Sequence, residues 1–213
     1  MKNVTIFLSG DYKQSNLKFC KTISQSRFLV AANGGHKFFL KAGVDPHLVI
    51  GDLDSMPNAA RRKLERCALI QVPAEKNQTD GELALVYCLG GGARSIDIVD
   101  LGCGEIDHKL GNLFLLELAH NLAPACSVRL LGLHHEVRLV ADSSWTIQGR
   151  AGDIVSVIPI SRRIRLTSAG TIYRAHELLL RRGQTLGLRN QIERSRARIE
   201  VEGKAFVVHG LAL

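Results

Sequence analysis

The segment RFLVAANGGHKFFLKAGVDPHLVIGDLDS, residues 27–55, reads as a strand, a helix and a second strand in quick succession. FLVAA and HLVI are continuous apolar runs with no polar alternation, the pattern of parallel strands covered on both faces. Between them HKFFLKAG has the length of a short helix and stops on Gly43, a residue suited to the position just past a helix end. The second strand then runs straight into Gly51, Asp52, Leu53, Asp54 and Ser55, two carboxylates two residues apart.

The same rhythm extends in both directions. Strands are predicted at 4–9, 27–32, 47–50, 68–72, 95–101 and 127–132. Helices are predicted over 36–43, over 57–68 with Pro57 in the first turn, over 79–92 and over 108–122. Thr79 with Glu82 three residues on has the form of a capping box. In the last helix Leu110, Leu113, Phe114 and Leu118 fall on one stripe. Strand–helix alternation argues for an open, mostly parallel α/β sheet. Beyond residue 133 the pattern becomes short runs of period two: HEVRLVA, SWTIQG, DIVSVIPI, RIRLTSA, QTLGLRN, RARIEVEG and KAFVVHG. These predict a small antiparallel β-sandwich or barrel. The expected division is 1–137 for an α/β nucleotide-binding domain and 138–213 for the β domain.

Composition narrows the classes of function. With 46% hydrophobic and 23% charged residues the chain has an ordinary globular balance. No run reaches the roughly 18 apolar residues of a membrane span. The first residues read as a strand and loop, not a signal peptide, so the expected location is the cytoplasm. Five scattered cysteines without CxxC spacing predict neither a disulfide framework nor a zinc site. Four of them fall at apolar core positions, and Cys103 falls in a loop beside Asp107. The net charge of +8 is carried by the last third of the chain, mostly by arginines that alternate with apolar residues. That spacing describes the solvated face of strands, or a surface for a small anion, better than a nucleic-acid interface, which also lacks the aromatic residues for stacking.

The polar clusters fall in one place. NGGH (33–36), GDLDS (51–55), EKNQTD (75–80) and GCGEIDHKLGN (102–112) each follow a predicted strand, and LSGD (8–11) follows the first. In an open α/β sheet the carboxyl ends of the strands are where ligands bind, so these loops predict one rim. Asp52, Asp54 and Asp80 would repel one another there unless a cation neutralised them. With no Cys/His cluster beside them, the implied cation is hard and oxygen-seeking, which points to Mg²⁺ carrying substrate phosphates. Lys76 is placed to meet a phosphate, and Thr79 and Asp80 open a helix whose free N–H groups favour an anion. The plainer alternative is an Asp-rich turn that starts the helix at Pro57. Asp107 is read as functional and His108 is left between catalysis and helix orientation. No P-loop and no GxGxxG after the first strand is present.

With these residues in view the chain resembles the thiamin pyrophosphokinase family over nearly its whole length. AANGGHKFFLKAGVDPHLVIGDLDS is similar to the family's DGG segment leading into GDxDS, EKNQTDGELAL to its KDxTD segment, and GEIDHKLGN to its GRxDHxxxN segment. The tail LTSAGTIYRAHELLLRRGQTLGLRNQIERSRARIEVEG resembles its β domain, with an SN dipeptide. The resemblance implies a homodimer that moves a diphosphoryl group from ATP to the hydroxyl of thiamin and releases AMP. It implies Mg²⁺ on Asp52, Asp54 and Asp80, which would carry the catalysis. ATP would be held by Lys76, Thr79, Asp107 and Asn112, and the acceptor by Asn33, Arg189 and Asn190. Four positions depart from the family pattern: Asn33 and Asn77 replace aspartates, Glu105 replaces an arginine, and Arg189 replaces the serine of SN. An arginine beside the acceptor suits a neutral or anionic alcohol such as a hydroxymethylpterin better than a cationic thiazolium. The rivals are therefore a diphosphokinase for another alcohol and a catalytically weak sensor of a nucleotide or diphosphate.

Overall fold

The computed structural model describes residues 2–13, 16, 20, 27–52, 56–64, 67–101 and 105–211. They form two compact units, Met1–Leu133 and His134–Leu213. In the first, the order along the chain is β1 (Asn3–Phe7), β2 (Phe28–Ala32), a 3₁₀ turn (Asn33–Gly35), α1 (His36–Ala42), β3 (Leu48–Gly51) and α2 (Asn58–Lys63). It continues with β4 (Ala68–Gln71), α3 (Asp80–Gly90), β5 (Ser95–Val99), α4 (Ile106–Leu122) and β6 (Ser127–Leu131). The strands lie in the order β6-β5-β1-β2-β3-β4 and every pair is parallel. The chain starts at β1, winds out to β4, then returns to the other side of β1, so the order reverses between β1 and β5.

Both faces of this sheet are covered, which is why its strands read as unbroken apolar runs. On one face Val4, Ile6, Leu8, Val30, Ile50, Ile96 and Ile98 pack with Ala84, Leu85 and Cys88 of α3 and Leu115 and Ala119 of α4. On the other, Phe7, Leu29, Ala31, Val49 and Val99 meet Phe38, Phe39 and Ala42 of α1 and Ala60 of α2. Phe7 stacks on Phe38 with centroids 4.2 Å apart and meets Phe39 edge-on at 5.1 Å. Cys20 and Cys88 are buried within these cores, and burial pushes their thiols up to about 11 and about 12. Cys67 and Cys126 are partly buried, with thiols raised by the same cause. Cys103 lies outside the described residues.

One helix expectation is corrected. The helix expected over 57–68 is six residues long, with Pro57 at its N-cap and Leu64 at its C-cap. In α4 the buried residues are Leu115, Leu116 and Ala119, while Leu110 and Phe114 are about half exposed and Ile106 more so. The helix carries apolar residues on two faces, and the periodicity of the Leu110 stripe alone does not tell which one meets the sheet.

One buried charge sits in the middle of β5. Asp97 is 3% exposed and receives both Nε (2.7 Å) and Nη2 (3.0 Å) of Arg129 from β6, with Nη1 of Arg27 at 3.4 Å. Arg27 also donates to the Val4 carbonyl at 2.9 Å and to Ser95 Oγ at 3.2 Å. The carboxylate thereby ties residues from β1, β5 and β6 to the start of β2.

The second unit comprises β7 (His135–Gln148), β8 (Ile154–Pro159), β9 (Arg163–Ala169), β10 (Ala175–Arg181), β11 (Asn190–Gln191) and β12 (Arg196–Gly210). β12 is its axis, paired antiparallel with β7 along one edge. On its other edge it pairs first with β9 and then with β8. The runs HEVRLVA and SWTIQG prove to be one strand, as do RARIEVEG and KAFVVHG. The apparent gaps are a bulge between Val201 and Lys204, opposite Asp142 at φ 42, whose Oδ1 accepts from the Gly203 amide at 2.6 Å. QTLGLRN is mostly turns, with strand only from Asn190, whereas AHELLLR forms β10. That strand escaped the period-two reading because its register shifts between Ala175 and Leu178 and only Leu180 is buried. As expected, Arg163 and Arg165 of β9 and Arg196 and Arg198 of β12 point outward, alternating with buried Ile164, Leu166, Ala197 and Ile199.

Asp97→Ala leaves two arginines facing a buried gap and lowers unfolding stability by about 3 kcal/mol in urea denaturation; a loss below about 1 kcal/mol would contradict this account.

Candidate active site

A cavity of about 530 Å³ opens at the carboxyl edge of the parallel sheet. Leu8 and Ser9 after β1 and Asp100 after β5 line it, so it lies where the strand order reverses, the usual crevice of such sheets. Ala32, Asn33 and Gly34 enter from β2. Lys76, Thr79, Asp80 and Gly81 enter from the loop after β4 and the start of α3, and Glu105, His108, Lys109 and Asn112 enter from the start of α4. Three of the four polar clusters that follow predicted strands, and the Leu8–Ser9 pair, thus line one cavity. The fourth, GDLDS, joins through Asp52.

The NGG turn is held tightly against β1. A Cβ on Gly35 would lie 1.9 Å from the Phe7 carbonyl oxygen, and one on Gly34 would lie 2.2 Å from Ser9 Oγ. Asn33 adopts φ 41, a left-handed conformation that asparagine tolerates better than most residues. Its Nδ2 donates to Asp52 Oδ1 at 3.3 Å and its carbonyl lies 2.7 Å from Nδ1 of buried His36. Asp52 is half-buried just past β3. Asp54 lies outside the described residues.

Lys76 and Asp80 are four residues apart and close on each other. Nζ lies 3.1 Å from Asp80 Oδ1, with the two side chains only 13% and 16% exposed, and also donates to the Pro73 carbonyl at 3.2 Å. At that ion-pair distance the angles are not those of a hydrogen bond, and Asp80 Oδ1 is a buried oxygen with no hydrogen-bond partner. Thr79 caps α3, its Oγ1 accepting from the Glu82 amide at 3.1 Å. Asn112 donates to Asp100 Oδ2 at 2.9 Å.

Asp107, expected to help hold the nucleotide, is exposed and is not in the cavity lining; its Oδ1 accepts from the adjacent His108 amide at 2.7 Å. Because α4 begins at Ile106, the face turned to the cavity carries Glu105, His108, Lys109 and Asn112 instead. Asp100, which sequence reasoning missed, was legible as the carboxylate that closes SIDIVD at a strand end. Lys109 and Gln78 carried no such signal.

In the second unit Arg189 has φ 57 and its amide donates to Ser156 Oγ at 3.0 Å. The Asn190 side chain is engaged within the unit: Oδ1 accepts from the Tyr173 and Gln191 amides, and Nδ2 donates to the Tyr173 carbonyl at 2.7 Å. Asn190 also lines an apolar pocket of about 350 Å³ with Tyr173, Leu178, Leu186 and Leu188.

Among the described residues no three His, Cys, Asp or Glu side chains cluster as a metal site. Mg²⁺ does not require such a cage, since it takes one or two carboxylates and completes its shell with water and phosphate oxygens. Asp80, which lines the cavity and whose buried Oδ1 has the Lys76 ion pair but no hydrogen bond, has the character of such a carboxylate.

Residues 19–127 match the family model described as thiamin pyrophosphokinase, catalytic domain. The chain belongs to the thiamin pyrophosphokinase family. Membership makes it an enzyme, of the ATP-dependent diphosphotransferase class. A curated relative, thiamine pyrophosphokinase of Bacillus subtilis (strain 168), is 30% identical over 171 residues, covering 78% of this chain and 79% of the relative. The crystal structure of thiamine pyrophosphokinase from Bacillus subtilis superposes with a TM-score of 0.86 at 25% identity, each chain covered completely. That of thiamin pyrophosphokinase from Geobacillus thermodenitrificans gives 0.82 at 24% identity, over 99% and 98% of the two chains, and shares the fold. Among the described residues no helix is long and apolar enough to cross a membrane.

Gly35→Ala forces a methyl group into the Phe7 carbonyl and displaces the turn. The variant loses nucleotide binding at least tenfold, whereas Gly90→Ala, at the open end of α3, leaves binding unchanged; calorimetric titration with an ATP analogue reads both, and equal effects would refute the close-seat argument.

Proposed function

We propose that this member of the family transfers the diphosphoryl group of ATP to the hydroxyl of thiamin, with Mg²⁺ on the triphosphate, and releases AMP. The observation that carries the reading is the meeting of Lys76, the α3 N-terminus and the orphaned Asp80 oxygen in one cavity. First-turn N–H groups of α3 have no helical acceptor and favour an anion. The volume of about 530 Å³ is in the range that small-molecule sites occupy.

In this reading Asp80 and Asp52 hold the metal, with Asp54 completing the set implied by the family resemblance. Bound there, Mg²⁺ would supply charge neutralisation to the phosphate oxygens. Lys76 and Thr79 orient the triphosphate at the start of α3, and Asn112, fixed by Asp100, borders the same space. The acceptor hydroxyl attacks the β-phosphorus, the bond between the β-phosphorus and the oxygen bridging to the α-phosphorus breaks, and AMP leaves while the hydroxyl proton passes to solvent. Asn33 is assigned to the acceptor side, as are Arg189 and Asn190 through the resemblance. The described cavity offers positioning and charge in place of a covalent intermediate, which is what phosphoryl transfer asks of a protein. The homodimer and the cytoplasmic location belong to the same proposal.

A second reading, with another alcohol such as a hydroxymethylpterin as acceptor, is favoured by Arg189, whose charge would oppose a cationic thiazolium. Assaying AMP release from ATP and Mg²⁺ with each acceptor separates the two. Thiamin-dependent AMP, lost by a factor of about 100 or more in Asp80→Asn, is the expected result. AMP formed only with the pterin would shift the reading to the second acceptor, and full turnover by Asp80→Asn would overturn the assignment of Asp80.

A further inference from the structure

We propose that Lys109 is the side chain that grips the phosphate chain of the nucleotide from the α4 side of the cavity; this rests on the nucleotide reading above. The cavity lining carries three carboxylates, Asp80, Asp100 and Glu105, and two permanent cations, Lys76 and Lys109, with His108 between them. Without a further cation it is a poor receptacle for a polyanion. Lys76, which meets the triphosphate from the α3 side, shares its charge with Asp80 and the Pro73 carbonyl. Lys109 is the cation whose side chain has no ion pair or hydrogen bond among the described residues.

Its position is also unfavourable for a structural role. Lys109 is the fourth residue of a seventeen-residue helix, where the helix dipole opposes a positive charge. Glu105 stands four residues earlier, at the spacing of a helical ion pair, yet the two do not pair. Both side chains are exposed and line the cavity. A lysine held against the dipole, unpaired, and facing a cavity built for phosphates has its natural counter-ion in the ligand. Glu105 then sets how much of that charge the phosphates feel, which makes the pair a determinant of nucleotide affinity.

The test is calorimetric titration with α,β-methylene-ATP and Mg²⁺, an analogue whose bridging bond the transfer reaction cannot break. Five proteins are compared: the unaltered protein, Lys109→Met, Lys109→Arg, Glu105→Gln, and the double variant Glu105→Gln with Lys109→Met. Lys109→Met is expected to bind about tenfold more weakly, the size of a lost charge-assisted contact, and to lose less affinity than the unaltered protein when salt is raised. Lys109→Arg should retain most of the affinity, and the double variant should remain weaker than Glu105→Gln alone. Unchanged affinity in Lys109→Met overturns the proposal. So does full recovery in the double variant, because Lys109 would then serve only to neutralise Glu105. No binding by the unaltered protein would instead overturn the nucleotide reading itself, and this proposal with it.

Discussion

The carboxyl edge of the sheet depends on how closely the turn Asn33–Gly35 rests on the end of β1. Two glycines let its backbone sit where any side-chain carbon would collide with the Phe7 carbonyl or with Ser9. That contact bends the chain after β2 sharply enough to start α1 at His36, and the aromatic cluster of Phe7, Phe38 and Phe39 lies behind it. It also leaves Asn33 in a left-handed conformation with its amide within reach of Asp52. The ends of three neighbouring strands are therefore fixed relative to one another before any ligand arrives.

Stability and function draw on different parts of the same sheet. The faces are apolar and closed by helices, and Asp97, a buried carboxylate in mid-strand, is met by arginines and so contributes order without chemistry. At the carboxyl edge the accounting differs. Asp80 keeps a buried oxygen without a hydrogen bond, at a cost in stability that a ligand can offset. The exposed Glu105 and Lys109 line the same cavity without pairing.

Much of this was legible in the sequence, for a physical reason. Strands buried on both faces must be apolar throughout, so β1, β2, β3 and β5 stood out, and the polar residues following them had only the rim to occupy. The failures have equally definite causes. The Leu110 stripe shows that periodicity reports that a face exists, not where it points; α4 starts at Ile106 and turns Leu115, Leu116 and Ala119 inward. The same phase decides that His108 and Lys109 line the cavity while Asp107 does not. In the β unit, one bulge, between Val201 and Lys204 opposite Asp142, hides two long strands as four short ones, and the shifted register of β10 removes the alternation that would mark it.

Hydrogen exchange with and without α,β-methylene-ATP and Mg²⁺ tests the central claim most directly, that the nucleotide lies in the carboxyl-edge cavity. Slowed exchange at the amides of 33–35, 78–82 and 105–112 is the predicted result, with the strand amides of β5 and β6 unchanged. Protection confined to residues 134–213, or spread evenly over both units, would contradict it.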